Sequence, residues 1–260
     1  MLMQKSVIIK FFFCTFLFLQ LNIHATDIHS LIKEGDKFYK EFDNLKALEK
    51  YKQAYVLDSN SYESISKLTK VYNDISGEYK EQRKDSMSSV YVKLGVKYAE
   101  IFHKKFPDSA LTYTYLSWAY GGLAKLVGSK EKIKLAKRIE EYAKKSIKLN
   151  PNDFMPYLIL GVYYREIARL SWFERFFANT FYGDVPEGTN EESEKMLKKA
   201  LTFDPKIIIA NYELANTYLA EDKKKDAVEL FNELLKIPNN NFRDKYIKAK
   251  TKRRLERLKS

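Results

Sequence analysis

Cysteine, proline, glycine and histidine are all scarce, and each scarcity excludes something. The one cysteine, Cys14, lies in the N-terminal leader-like segment, so a chain without that segment has no thiol for a disulfide or for covalent catalysis. Nine Gly and six Pro in 260 residues provide few tight turns, which disfavours many short strands and suits long helices. The three histidines, His24, His29 and His103, are scattered, and His103, between Phe102 and Lys104 on a helix, has no second His at metal-ligand spacing, so no metal site is expected. Gly-rich phosphate loops and a nucleophile elbow are absent as motifs. The adjacent pairs Glu140-Glu141 and Glu191-Glu192 point about 100 degrees apart on a helix, so neither converges on a substrate. These absences predict a chain without catalytic residues or a cofactor.

Aromatic and basic residues are plentiful instead. Nineteen Tyr and seventeen Phe, within 45% apolar and 31% charged residues, describe a globular chain with material for a sizeable core. The formal charge of +12 is unevenly spread: from Phe242 to Ser260 there are nine basic residues against Asp244 and Glu256. This stretch reads as a solvated helical face, with contact to an anionic surface as the sharper alternative.

The N-terminus carries a processing signature. Lys5 and Lys10 precede the apolar run Phe11 to Leu19, and Ala25 offers a small residue for cleavage. Gln20, Asn22 and His24 interrupt the run short of the roughly 18 to 20 apolar residues a bilayer span requires. Three Phe stand before Cys14 where a lipoprotein signal has small residues. The expectation is a signal peptide over 1–25, one helical domain over 26–260, and export to a bacterial periplasm. An uncleaved membrane anchor is the alternative. An exported chain has little occasion to meet nucleic acid.

A repeat runs through the rest. Leu31, Gly35 and Phe38 precede Ala47, Tyr51 and Ala54; Tyr62, Ile65, Leu68 and Tyr72 precede Gly95, Ala99 and Phe102; Tyr113, Leu116, Ser117 and Tyr120 precede Ile139, Ala143 and Ser146. Tyr157, Leu160, Gly161 and Tyr164 precede Ser193, Leu197 and Ala200, and Leu214, Ala215 and Tyr218 precede Ala227, Phe231 and Leu234. Small residues at fixed places let two antiparallel helices approach closely while the aromatics fill the layer between them. Four units end alike, at Leu57-Asp58-Ser59, Phe106-Pro107-Asp108, Leu149-Asn150-Pro151 and Phe203-Asp204-Pro205, which stop one helix and prepare the next. Extra residues fall around Ser76 to Met87 in the second unit, within the third, where Gly121-Gly122 and Gly128 suggest a bent first helix, and between Tyr164 and Ser193 in the fourth.

This pattern resembles the tetratricopeptide repeat, a ~34-residue helix-turn-helix with the signature W-x2-L-G-x2-Y, A-x3-F and P. The fold class is therefore all-α: a tetratricopeptide-like α-α superhelix, or solenoid, of about five hairpins with insertions, closed by a capping helix from Asp244. From Ser171 onward the chain also resembles the family named regulator of microtubule dynamics. The matching residues are Ser171-Trp172-Phe173-Glu174-Arg175, Ala178, Phe181-Tyr182-Gly183, Pro186, Leu197 to Ala200, Tyr212, Leu214, Tyr218 to Ala220 and Ala227. The resemblance covers roughly the C-terminal 100 residues, and leaves the lysine-rich stretch Ser129 to Lys137 without a family role.

The resemblance implies a non-enzymatic scaffold that holds a protein or peptide on a concave face lined by first helices. Counted from the repeat template, that face has Thr114 and Trp118 in the third unit, Leu158, Val162 and Arg165 in the fourth, and Tyr212 and Asn216 in the fifth. Only Asn216 fits the Lys and Asn pattern of carboxylate-clamp relatives. Trp172, Phe173, Phe176, Phe177, Phe181 and Tyr182 cannot share one helical stripe. They read as an extended first helix folded over its neighbour, or as a lid or docking patch. A second functional reading is an accessory protein of an envelope transport system whose insertions enclose a small ligand.

Overall fold

The structure, a computed structural model, describes residues 28–259. The signal segment 1–25 lies outside the described residues, as do the side chains of Trp172 and Phe173. Among the described residues every regular element is a helix: α1 (28–40), α2 (Asn44–Leu57), α3 (Tyr62–Glu81), α4 (Asp85–Lys105), α5 (Ala110–Leu123), α6 (Ser129–Leu149), α7 (Phe154–Ala168), α8 (Trp172–Tyr182), α9 (Asn190–Leu201), α10 (Ile208–Ala220), α11 (Lys224–Lys236) and α12 (Asp244–Lys259). Two compact units result, one ending at Val71 and the other beginning at Tyr72. The architecture is the expected all-α, tetratricopeptide-like series of hairpins.

In the first unit, α1 and α2 meet where the sequence has least bulk. A Cβ on Gly35 would collide with Cε1 of Tyr51, so the glycine makes room for that ring. Tyr51, Ala47 and Ala54 are buried with Ile32, Ile65 and Leu68. The Tyr51 hydroxyl donates to Asp36 at 2.6 Å, and Lys67 Nζ holds both oxygens of the same carboxylate at 2.6 and 2.7 Å. Asp43 caps α2, accepting from the Lys46 amide at 3.1 Å.

In the second unit the last part of α3 lies against α4 through stacked Tyr72 and Tyr98 and through the Ser88 hydroxyl, which donates to the Ser76 carbonyl at 2.8 Å. The hairpins α5/α6, α7/α9 and α10/α11 follow, and α12 rests on α10 and α11. First helices also touch one another in sequence, α5 with α7 and α7 with α10. At its far side α12 reaches α3: Lys250 pairs with Glu81, and the Arg243 guanidinium lies about where a Cβ on Gly77 would meet it, at 3.0 Å. Contacts thus return from the capping helix and the residues before it to α3 of the second hairpin. Phe102 and Phe231 are wholly buried; burial of a large apolar side chain contributes about 1.5 to 3 kcal/mol.

The extra residues take three forms. In the second hairpin they lengthen both helices, to 20 residues in α3 and 21 in α4, whereas α10 and α11 have 13 each. In the third they lengthen α6 to 21 residues, absorbing the lysine-rich stretch, and α5 continues through Gly121 and Gly122 to Leu123. In the fourth they form a separate helix, α8. That replaces the expected extension of the first helix, because Ser171 and Glu174 make a reciprocal capping box that starts a new helix.

Three hairpin turns share one device. Phe42, Arg83 and Asp222 adopt left-handed φ values of 64, 60 and 61 degrees. After each, the next amide donates back five residues: Asp43 to Phe38, Lys84 to Tyr79 and Lys223 to Tyr218, at 2.9, 2.9 and 2.8 Å. This 6→1 bond satisfies a carbonyl at the helix end. A lysine then stands over the same aromatic ring in each, Lys46 over Phe38, Lys84 over Tyr79 and Lys223 over Tyr218.

Candidate partner-binding surfaces

The residues expected on a concave face divide into two groups. Trp118, Val162, Tyr212 and Asn216 are partly exposed on α5, α7 and α10, the first helices that touch in sequence. Trp118 leans on Tyr115 with ring centroids 6.3 Å apart, and Tyr212 leans on Phe231 at 5.9 Å. Asn216 Nδ2 donates to the Tyr212 carbonyl at 2.8 Å, which leaves its oxygen as the group to offer.

Three other residues are corrected to the interior. Thr114 has no exposed surface; its hydroxyl lies 2.7 Å from Ser146 Oγ and binds α5 to α6. Leu158 is buried in the cluster of Leu197, Ala200, Ala210 and Leu214. Arg165 is 7% exposed and joins α7 to α10: Nη2 stands 2.5 Å from the Glu213 carboxylate and Nη1 donates to the Glu213 carbonyl at 2.9 Å. Counting positions around one helix missed these, because each first helix gives part of that side to its own second helix, as at Thr114, or to the next first helix, as at Arg165.

The inserted α8 is held by polar groups. Arg175 donates to the carbonyls of Ile167 at 2.9 Å and Pro186 at 3.1 Å, and Asn179 Oδ1 accepts from the Val185 amide at 2.7 Å. Four of its aromatics, Phe176, Phe177, Phe181 and Tyr182, are exposed at 58, 43, 65 and 47%. Phe177 stacks on Phe181 at 5.8 Å and meets Phe176 edge-on at 6.0 Å. These four rings are exposed rather than folded over the core.

Beside this helix an open cleft of about 500 Å³ lies between α6 and the following loop, lined by Lys137, Glu140, Glu141, Lys144 and Asp184 to Glu187. Glu140 is more than a solvated member of a Glu pair. It accepts from the hydroxyls of Tyr163 and Tyr164 at 3.2 Å each and pairs with Lys144 at 2.6 Å. Burial, with the Glu140 charge adding to it, pushes both tyrosines above their ordinary pKa. Lys144 was readable as an i+4 partner; the tyrosines, more than twenty residues away, were not. Tyr120, buried beside Glu100, is pushed up to about 12. Burial lowers the His103 pKa.

A second charged cluster ties α9 to the fifth hairpin. Lys223 stands 2.7 Å from Glu194 and 2.9 Å from Glu221, and Lys198 stands 2.5 Å from Glu194. Hydrogen bonds from Lys198 and Lys223 hold Glu194 down to about 2, while burial raises Glu221. Among the described residues no group of three or more His, Cys, Asp or Glu is placed to hold a metal ion, and no helix is long and apolar enough to cross a membrane. On α12, Lys248 donates to the Ile237 carbonyl and Lys250 is paired with Glu81, whereas Lys245, Lys252, Arg253 and Arg254 are exposed.

Comparison with known proteins extends the family likeness well beyond the C-terminal 100 residues. Regulator of microtubule dynamics protein 1 of Mus musculus is 25% identical over 232 residues, covering 87% of this chain and 74% of that protein. Protein 2 of Bos taurus is 22% identical over 241 residues, covering 90% of this chain and 57% of that protein. Among solved structures, a thermophilic tetratricopeptide protein of Thermus thermophilus aligns with a TM-score of 0.62 at 17% identity, over 86% of this chain and 98% of that chain. Yeast Tom70 aligns with a TM-score of 0.52 at 13% identity, over 92% of this chain and 41% of that chain. These structures share the fold. The family model described as Regulator of microtubule dynamics protein 1-3 matches residues 31–259, and the chain belongs to that family.

Proposed function

We propose that this chain is a non-enzymatic scaffold that binds a protein or peptide along the first helices of its second unit. One observation carries the reading: α5, α7 and α10 touch in sequence and present Trp118, Val162 and Tyr212 partly exposed, an aromatic and apolar file of the kind that anchors interfaces. Substituting Trp118→Ala together with Tyr212→Ala is expected to weaken a captured partner by about 2 kcal/mol or more while helicity is unchanged. Undiminished capture by the double variant removes this face from consideration. The partner is to be obtained by photocrosslinking from position 118 in the native cell.

Export is part of the same proposal and rests on Lys5, Lys10, the apolar run and Ala25. A mature protein beginning after Ala25 in an envelope fraction supports it; an intact N-terminus on cytoplasmic protein rejects it. The relatives are named for microtubule dynamics. An exported chain does not share a compartment with that polymer, so partner binding alone is carried over.

A further inference from the structure

The outward aromatics of α8 are unusual in how they are held. A surface helix normally buries its apolar stripe and shows its polar one. Here Arg175 reaches inward to the Ile167 and Pro186 carbonyls, the exposed Asn179 ties the helix to the following loop at Val185, and Phe176, Phe177, Phe181 and Tyr182 are exposed. At about 100 degrees per residue the three phenylalanines fall within an arc of about 140 degrees. The capping box of Ser171 and Glu174 fixes the start of the helix.

The neighbour of this helix supplies a charge. α8 packs against α6, which carries exposed Lys130, Lys132, Lys134, Lys137 and Arg138 in its first half, ahead of the Glu140 and Glu141 that line the cleft beside α8. Glu131, 3.6 Å from Lys134, is the one acid between Ser129 and Arg138. This is the lysine-rich stretch that the repeat pattern leaves without a role.

We propose that α8 and the first half of α6 form a peripheral docking surface for an anionic lipid bilayer. Phe176, Phe177 and Phe181 enter the boundary between headgroups and acyl chains, Tyr182 stays at headgroup level, and the lysines of α6 attract the acidic headgroups. Aromatic rings favour that boundary, and basic residues near an anionic surface add attraction that salt screens. A projecting aromatic ridge needs no complementary groove in a bilayer, whereas a protein partner would have to provide one. This surface is separate from the first-helix face.

The test is partition of the protein, purified as it accumulates in cells, onto vesicles of phosphatidylcholine with and without 30% phosphatidylglycerol. Wild-type protein is expected to bind the anionic vesicles at least tenfold better. Phe176→Ser with Phe181→Ser is expected to lower that binding at least tenfold with unchanged helicity. Lys130→Gln, Lys132→Gln and Lys134→Gln together lower it and flatten its salt dependence. Arg253→Gln with Arg254→Gln, on α12, leave it within twofold. As a measurement independent of those variants, Phe181→Trp is expected to shift its emission to the blue on anionic vesicles and to be quenched by brominated acyl chains. The proposal is overturned if wild-type protein ignores both vesicle types, if the α8 variant binds as well as wild type, or if the α12 variant alone abolishes binding. It is equally overturned if the α8 variant dissolves a dimer that binds no vesicle, since the patch would then serve a second copy of the chain.

Discussion

The fourth and fifth hairpins begin from the same packing and differ in what joins their helices. In the fifth, α10 and α11 are linked by a short turn at Asp222, and Ala215, Ala227 and Phe231 close a core with nothing to spare. In the fourth, Gly161 faces Leu197 so closely that a Cβ would lie 2.5 Å from Cγ, yet some twenty residues and a whole helix lie between. The register of a hairpin therefore belongs to its two facing helices. The connection is free to acquire another purpose.

The largest expected contrast sets one buried and one displayed phenylalanine against each other. Phe231→Ala should cost about 3 to 5 kcal/mol in a urea titration, whereas Phe181→Ala should change stability by no more than about 0.5 kcal/mol. Comparable losses would show that α8 is part of the core and erase the distinction between the hairpins. Next is the buried pair that joins them: Arg165→Ala should cost about 3 kcal/mol by stranding Glu213, and Arg165→Met should recover much of it. Recovery by Met distinguishes a buried charge left alone from a simple loss of volume.

Gly161→Val should cost about 1 to 3 kcal/mol by forcing Leu197 aside. A neutral result would mean that α7 and α9 can separate, and that the fourth hairpin is looser than the fifth. Acid should expose the cluster between α9 and the fifth hairpin. Glu194 is depressed to about 2, so its stabilising contribution is full above the ordinary value of 4.5 and is lost as the pH falls through about 2. Glu221, raised by burial, acts in the opposite sense, its charge costing stability as the pH rises. Denaturation midpoints between pH 4.5 and 2 should therefore fall less steeply in Glu194→Gln than in the wild type. The smallest effect is at the turn, where Asp222→Gly should stabilise by about 0.5 kcal/mol by relieving a left-handed φ; no gain would mean that aspartate already fits the site.

Much of the fold was readable because its determinants are local. Gly35, Ala47, Ala54, Gly161 and Ala200 mark close helix approaches, and the four helix-ending motifs all fall between a second helix and the next first helix. The start of α8 was also written, as Ser171 with Glu174, and that of α9 as Thr189 with Glu192, both capping boxes. Other features depended on distance in sequence. Arg165 meets Glu213 across 48 residues, and Tyr163 meets Glu140 across 23, so no window of helical periodicity contains either pair. The outward turn of Phe176 and Phe181 was hidden for a related reason: Arg175 and Asn179 find carbonyl and amide partners whose positions only the folded loop provides. The candidate binding residues were half legible, since a helical wheel identifies a side but not which part of it a neighbouring helix covers.

The close fit of Gly161 to Leu197 has a consequence for how this chain can be rebuilt. Two helices that recognise each other without help from their connector can be rejoined from separate pieces. The span from Gly183 to Gly188 is thus a natural seam: new termini opened there leave α7 and α9 with their mutual surface intact, and a permuted or split chain keeps the information needed to reassemble.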